Sequence, residues 1–174
     1  MGSGGLKKIM IFGRPGSGKS TFAVWLSRYT ALPVHHLDKH FYIKNWTTRD
    51  YEEFLQIQQN IVNSERWIID GNNSRSFGMR WASADLVLYF NFPKVICYWR
   101  ILKRFLRPNK SIDDRAAACK ETIRLSLLRY MWDFEKRVAS DIETLKERYP
   151  QVIFKQIKCV NDLHKLKNEL MNKL

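Results

Sequence analysis

The octapeptide Gly13-Arg14-Pro15-Gly16-Ser17-Gly18-Lys19-Ser20 limits what this chain can become more than any other stretch. It has the spacing G-x-x-x-x-G-K-[ST]. The β-rich run Lys8 to Phe12 leads into it, and Ser20 to Tyr29 leaves it with helical apolar spacing. A strand that turns through glycines into a helix aims backbone N–H groups and the helix's positive end at one point, which makes a phosphate cradle. Lys19 is placed to bridge the β- and γ-phosphates of a nucleotide, and the Ser20 hydroxyl to ligate Mg²⁺. Gly13, Pro15, Gly16, Ser17, Gly18 and Thr21 complete the expected nucleotide contact. ATP and Mg²⁺ are the cofactors this pattern calls for.

The rest of the chain keeps the same alternation, with no internal repeat and no low-complexity linker. Pro33 to Leu37, Trp67 to Asp70, Asp85 to Phe92 and Val152 to Ile157 read as further strands. Helices are expected over Arg49 to Asn63 with Thr48 as N-cap, over Phe77 to Ala84, and from Pro93 to about Leu106. Two more are expected, from about Asp113 to Arg148 and from Asp162 to Leu174. Strands that are apolar throughout and separated by helices imply a parallel sheet covered on both faces, an α/β/α sandwich. Ligands then belong beyond the carboxyl ends of the strands. A length of 174 residues with 45% hydrophobic composition suits one domain, expected over residues 6–174 behind a short lead at 1–5.

Several classes drop out. The guanine motif N-K-x-D is missing, since Asn109-Lys110 is followed by Ser111-Ile112, and Asp70-Gly71 does not make D-x-x-G. The chain is too short for the extra strands and helical domain of large ATPases, which leaves a compact kinase. The net charge of +13 predicts an anionic partner, whether a small phosphate compound, nucleic acid or a membrane surface. The N-terminus has no signal-peptide h-region and no apolar run is long enough to span a bilayer, so no membrane role is expected. Cys97, Cys119 and Cys159 are odd in number and lack zinc spacing, so they read as buried free thiols of a cytoplasmic protein.

Two carboxylates, Asp38 and Asp70, fall where apolar strands end and so belong at the same sheet edge as the phosphate loop. Asp70 suits holding a Mg²⁺-bound water. Three roles are open to Asp38: acceptor binding, orienting the acceptor as a base, or metal contact. Either residue would also serve as a helix cap. The histidines before Asp38, His35 and His36, read as packing or hydrogen-bonding groups. Between Arg100 and Arg129 there are nine basic and three acidic residues, with Arg100, Arg104 and Arg107 on one helix face. Such a segment suits closure over phosphates, because phosphoryl transfer depends on positive charge around the equatorial oxygens.

The stretches GRPGSGKST, PVHHLD, WIIDGN, the region around Arg80 with ADLVLYFNFP, YWRILKR and MWDFEKR together resemble the adenylate-kinase-like P-loop kinases. Within these, the chain is most similar to the bacterial topology modulation proteins. The resemblance implies a five-stranded parallel sheet of order 2-3-1-4-5 and a short lid at about 107–118. It also implies arginines seven and eleven residues after Pro93, namely Arg100 against adenine and Arg104 at the phosphates. Where nucleoside monophosphate kinases read D-G-F-P-R, this chain has Asp70-Gly71-Asn72-Asn73-Ser74-Arg75, which moves the acceptor arginine to Arg75 or Arg80. The implied activity is transfer of the ATP γ-phosphate to a nucleotide or nucleoside-like small molecule. Lys19, Asp38, Arg104, Arg107 and Arg115 would be catalytic, and Asp38, Asp70, Arg75 and Arg80 would face the acceptor. The family name implies an alternative, an ATP-binding protein associated with nucleic acid.

Overall fold

The computed structural model describes residues 5–43, 47–106 and 125–173. Strand β1, Lys8–Gly13, takes the centre of the sheet because Ile9, Met10, Ile11 and Phe12 are apolar in succession and all fully buried, two on each face. It pairs in parallel with β3 (Trp67–Asp70) on one side and β4 (Leu86–Phe90) on the other, with Ile11 opposite both Asp70 and Leu88. The three-residue β2, Val34–His36, and the half-exposed β5, Ile153–Ile157, form the edges. The five strands run in the order β2-β3-β1-β4-β5, all parallel, as expected.

The alternation along β1 divides the core in two. Ile9 and Ile11 pack with Phe22, Ala23 and Leu26 of α1 (Lys19–Thr30), Cys97 and Ile101 of α5 (Lys94–Leu106), and Leu166 and Leu170 of α7 (Val160–Lys173). Met10 and Phe12 face α3 (Tyr51–Asn63), α4 (Phe77–Ala82) and α6 (Leu125–Arg148), through Phe54, Phe77, Trp81, Phe134 and Val138. The high aromatic content is largely explained here. Phe12 lies 4.8 Å from Phe77 and 4.9 Å from Tyr89, centroid to centroid, within the geometry aromatic pairs favour.

Three local expectations are corrected by the structure. The second strand stops at His36, and Leu37–Phe41 forms the short helix α2, so Asp38 is an exposed helix residue, not a strand terminus. The cap of α3 is Asp50, not Thr48: its Oδ1 accepts from Glu52 N at 3.0 Å and Glu53 N at 3.1 Å. Thr48 instead bridges Tyr42. Cys97 is a buried free thiol as expected, whereas the free thiol of Cys159 is exposed. The expected lid at 107–118, with Arg107 and Arg115, the first part of the long helix up to residue 124, and Cys119 all lie outside the described residues. Among the described residues, no helix is long and apolar enough to cross a membrane.

Candidate functional site

The loop from Arg14 to Gly18 turns tightly enough for Ser17 N–H to donate to Arg14 O at 3.0 Å. Gly18 has φ +94° and caps α1 without any side-chain hydrogen bond, so the first amides of that helix point into the loop with no side chain on them. Lys19 and Ser20 start the helix and are half-buried. Ser17 is buried, Pro15 half-buried, and Thr21 lies exposed on the outer side of α1.

At the end of the neighbouring strand β3 stands Asp70. Its Oδ2 receives a 2.8 Å hydrogen bond from Nδ1 of His36, its register partner on β2, and both side chains are buried. Burial alone would raise the carboxyl pKa. The hydrogen bond from His36, the Lys19 charge and the nearby Ser20 hydroxyl outweigh it, and Asp70 is held below its ordinary range. The other carboxylate oxygen, Oδ1, is buried with no hydrogen-bond partner. An orphaned carboxylate oxygen beside a serine hydroxyl and a lysine suits a hard cation with few protein ligands, the usual manner of Mg²⁺ at phosphates. The donor set therefore fits the ion that Ser20 and Asp70 were expected to hold.

Arg100 reaches the same loop from α5. Its Nη1 donates to Ser17 O at 2.9 Å, and its guanidinium stacks 4.7 Å above the Phe92 ring. Arg104, one turn on, is half-buried. Of the two candidate acceptor arginines, Arg80 is taken elsewhere. It is fully buried and donates to the carbonyls of Gly71 (3.1 Å), Ser76 (3.4 Å) and Asn73. Burial pushes its pKa down to about 9 against the opposing charge of Asp70. It bolts α4 to the exit of β3. Arg75 is exposed in the 3-10 turn Ser74–Ser76, 5.2 Å above the Tyr51 ring.

Three residues that spacing did not single out join the site. Asn72 Oδ1 accepts from Gly13 N at 2.9 Å, tying the loop after β3 to the start of the phosphate loop. Tyr130, on α6, lies near the Asn72 side chain and the Asp38 carboxylate; burial first and that carboxylate second push its pKa up to about 12. Arg14, at a position where the motif accepts any residue, is only 1% exposed, and its Nε and Nη1 donate to Met131 O (2.9 Å) and Phe92 O (2.6 Å). WIIDGN contains Asn72 and MWDFEKR adjoins Tyr130, but an Asn after a strand and a Tyr on a helix carry no signal of their own.

The fold is a three-layer α/β/α P-loop fold, with the phosphate loop at the carboxyl end of the central strand. Among solved structures, the chain is similar to the shikimate kinase from Acinetobacter baumannii in complex with shikimate, at 15% identity and a TM-score of 0.58, over 97% of this chain and 96% of that one. It is also similar to the shikimate kinase from Bacteroides thetaiotaomicron, at 15% identity and a TM-score of 0.56, over 95% and 99%. At that identity the likeness establishes the fold. No protein-family model matches the sequence, and no curated protein does.

Proposed function

We propose that the chain is an ATP-dependent phosphotransferase that moves the γ-phosphate to a small-molecule acceptor, with a nucleotide or nucleoside as the leading candidate. The observation that carries this reading is the meeting of Lys19, Ser20 and the orphaned Asp70 Oδ1 at the uncapped start of α1. In this reading the loop amides and Lys19 bind the phosphates, and Ser20 and Asp70 hold Mg²⁺, which supplies charge neutralisation at the β- and γ-oxygens. Arg100 flanks the nucleotide and Arg104 adds positive charge, with Arg107 and Arg115 proposed for the same task. Asp38 and Arg75 flank the acceptor, and Asp38 is placed to orient its hydroxyl. His36 keeps Asp70 ionised and oriented.

ADP release is measured with ATP, Mg²⁺ and a panel of nucleosides, nucleoside monophosphates and hydroxy acids that includes shikimate. Acceptor-dependent ADP formation is expected, with a loss of about a hundredfold or more in Lys19→Ala. The net charge of +13 favours a second reading, the nucleic-acid-associated protein of the topology modulation family. No acceptor-dependent turnover, together with DNA binding that weakens steeply with salt, would sink the kinase reading in favour of that one.

A further inference from the structure

Arg14 is a buried cation with too little around it to balance its charge. Its nearest carboxylate among the described residues, Glu135 Oε2, is 3.6 Å from Nη2 and belongs to a side chain that is 57% exposed, so solvent screens it in part and it offsets only some of the charge. Nη2 itself is buried without a hydrogen bond. The other donors go to neutral carbonyls: Met131 O in the middle of α6 and Phe92 O where β4 leads into α5. A desolvated guanidinium is costly unless an anion offsets it, and among the described residues Arg14 belongs to the loop whose uncapped helix start is built to hold one. Burial raises the pKa of the Cys97 thiol, and the charges of Arg14, Arg100 and Lys19 act against it, so all three cations lie within electrostatic reach of that residue beneath the loop.

We infer that Arg14 is a positioning residue for the polyphosphate: its hydrogen bonds fix the first turn of the phosphate loop to α6 and to the β4–α5 junction, and its buried charge takes the bound phosphates as its counter-ion. A purely packing role predicts no dependence on ligand charge, whereas a counter-ion role does. The inference rests on the kinase reading only in requiring a nucleotide at the loop, not an acceptor or turnover.

The test is equilibrium binding of adenosine, AMP, ADP and ATP with Mg²⁺ to the full chain, its Arg14→Met, Arg14→Lys and Glu135→Gln variants, without acceptor. Arg14→Met is expected to weaken ATP by about tenfold or more, with the loss shrinking from ATP to AMP and vanishing for adenosine. Arg14→Lys keeps the charge but not the two-carbonyl fork and falls between the two. Glu135→Gln removes the competing carboxylate and is expected to tighten ATP by roughly two- to threefold, again in proportion to phosphate number. That arm stands even if Arg14→Met does not fold. Equal losses for all four ligands in Arg14→Met, or unchanged ATP affinity in Glu135→Gln, would overturn the inference while leaving the kinase reading intact. A parent protein that binds none of the phosphorylated ligands would overturn both.

Discussion

A methyl group added at Gly16 would lie 2.5 Å from the carbonyl oxygen of Cys97, and the backbone there has φ +80°, a region that side chains rarely enter. Neither problem has a soft solution, because the obstacle is α5 backbone and not the end of a flexible chain. Gly16→Ala must push the phosphate loop off α5 and break its tight turn. The expected result is a loss of roughly 1–3 kcal/mol of stability by denaturant titration and of ATP affinity by more than tenfold. Retained ATP affinity would show that the loop takes another path. The residue scale also shows how far sequence reading reaches. The placement of Lys19, Ser20 and Asp70 at one edge of the sheet was legible because it follows from their positions in a strand–loop–helix and at a strand end. Arg14 and Asn72 were not, because their partners, Met131 O and Gly13 N, come together only when the sheet closes. Arg80 carried the right charge for an acceptor site and was assigned to one, yet three backbone carbonyls claim it.

That assignment turns on how elements are joined. Helix α4 is only six residues long and follows a 3-10 turn, so its own hydrogen bonds do little to anchor it. Arg80 anchors it by donating back to Gly71, Asn73 and Ser76, the segment through which β3 leaves the sheet. Arg80→Met takes a donor from the carbonyls of Gly71, Asn73 and Ser76, of which Asn73 O keeps the Ser76 N–H and hydroxyl, and is expected to cost roughly 2–4 kcal/mol. Arg80→Lys recovers only a small part, since an ammonium cannot span the three. A thermal midpoint in Arg80→Lys equal to that of the parent would contradict this. Element boundaries were the least legible level for a similar reason. Thr48 and Asp50 are both good caps by type, and the choice fell to Asp50 because Thr48 is held in a bridge to Tyr42. The strand expected through Leu37 broke after His36. Leu37 packs under the close turn at Gly71 and starts a helix there, which moves Asp38 out to the surface near Tyr130.

For the molecule as a whole, sheet order and layering followed from the apolar strands and the order that the family resemblance implied. The net charge of +13 instead spreads over functions that only the structure separates. Some of it converges on the phosphate loop through Lys19, Arg14 and Arg100, some locks α4 in place through Arg80, and the cationic surroundings act on the remaining titratable groups. His35 and His40 lie with ring centroids 6.0 Å apart next to His36, and burial is the main force lowering both of their pKa values below 6.5. The charge of His36 adds to this at His35. At His40 the charges of His35, Arg49, Lys39 and His36 do the same. Both groups therefore remain neutral in the folded protein at a pH where the unfolded chain already binds protons. As pH falls through 6.5 the unfolded state takes up more protons than the folded state, and stability declines. The thermal midpoint is expected to drop steadily from pH 7.5 to 5.5, well above the range where carboxylates titrate. In His35→Gln/His40→Gln that slope should flatten, with little change in midpoint at pH 7.5. If the double variant keeps the parent's slope, the neutral histidines are not its source, and the acid sensitivity must be sought in another group.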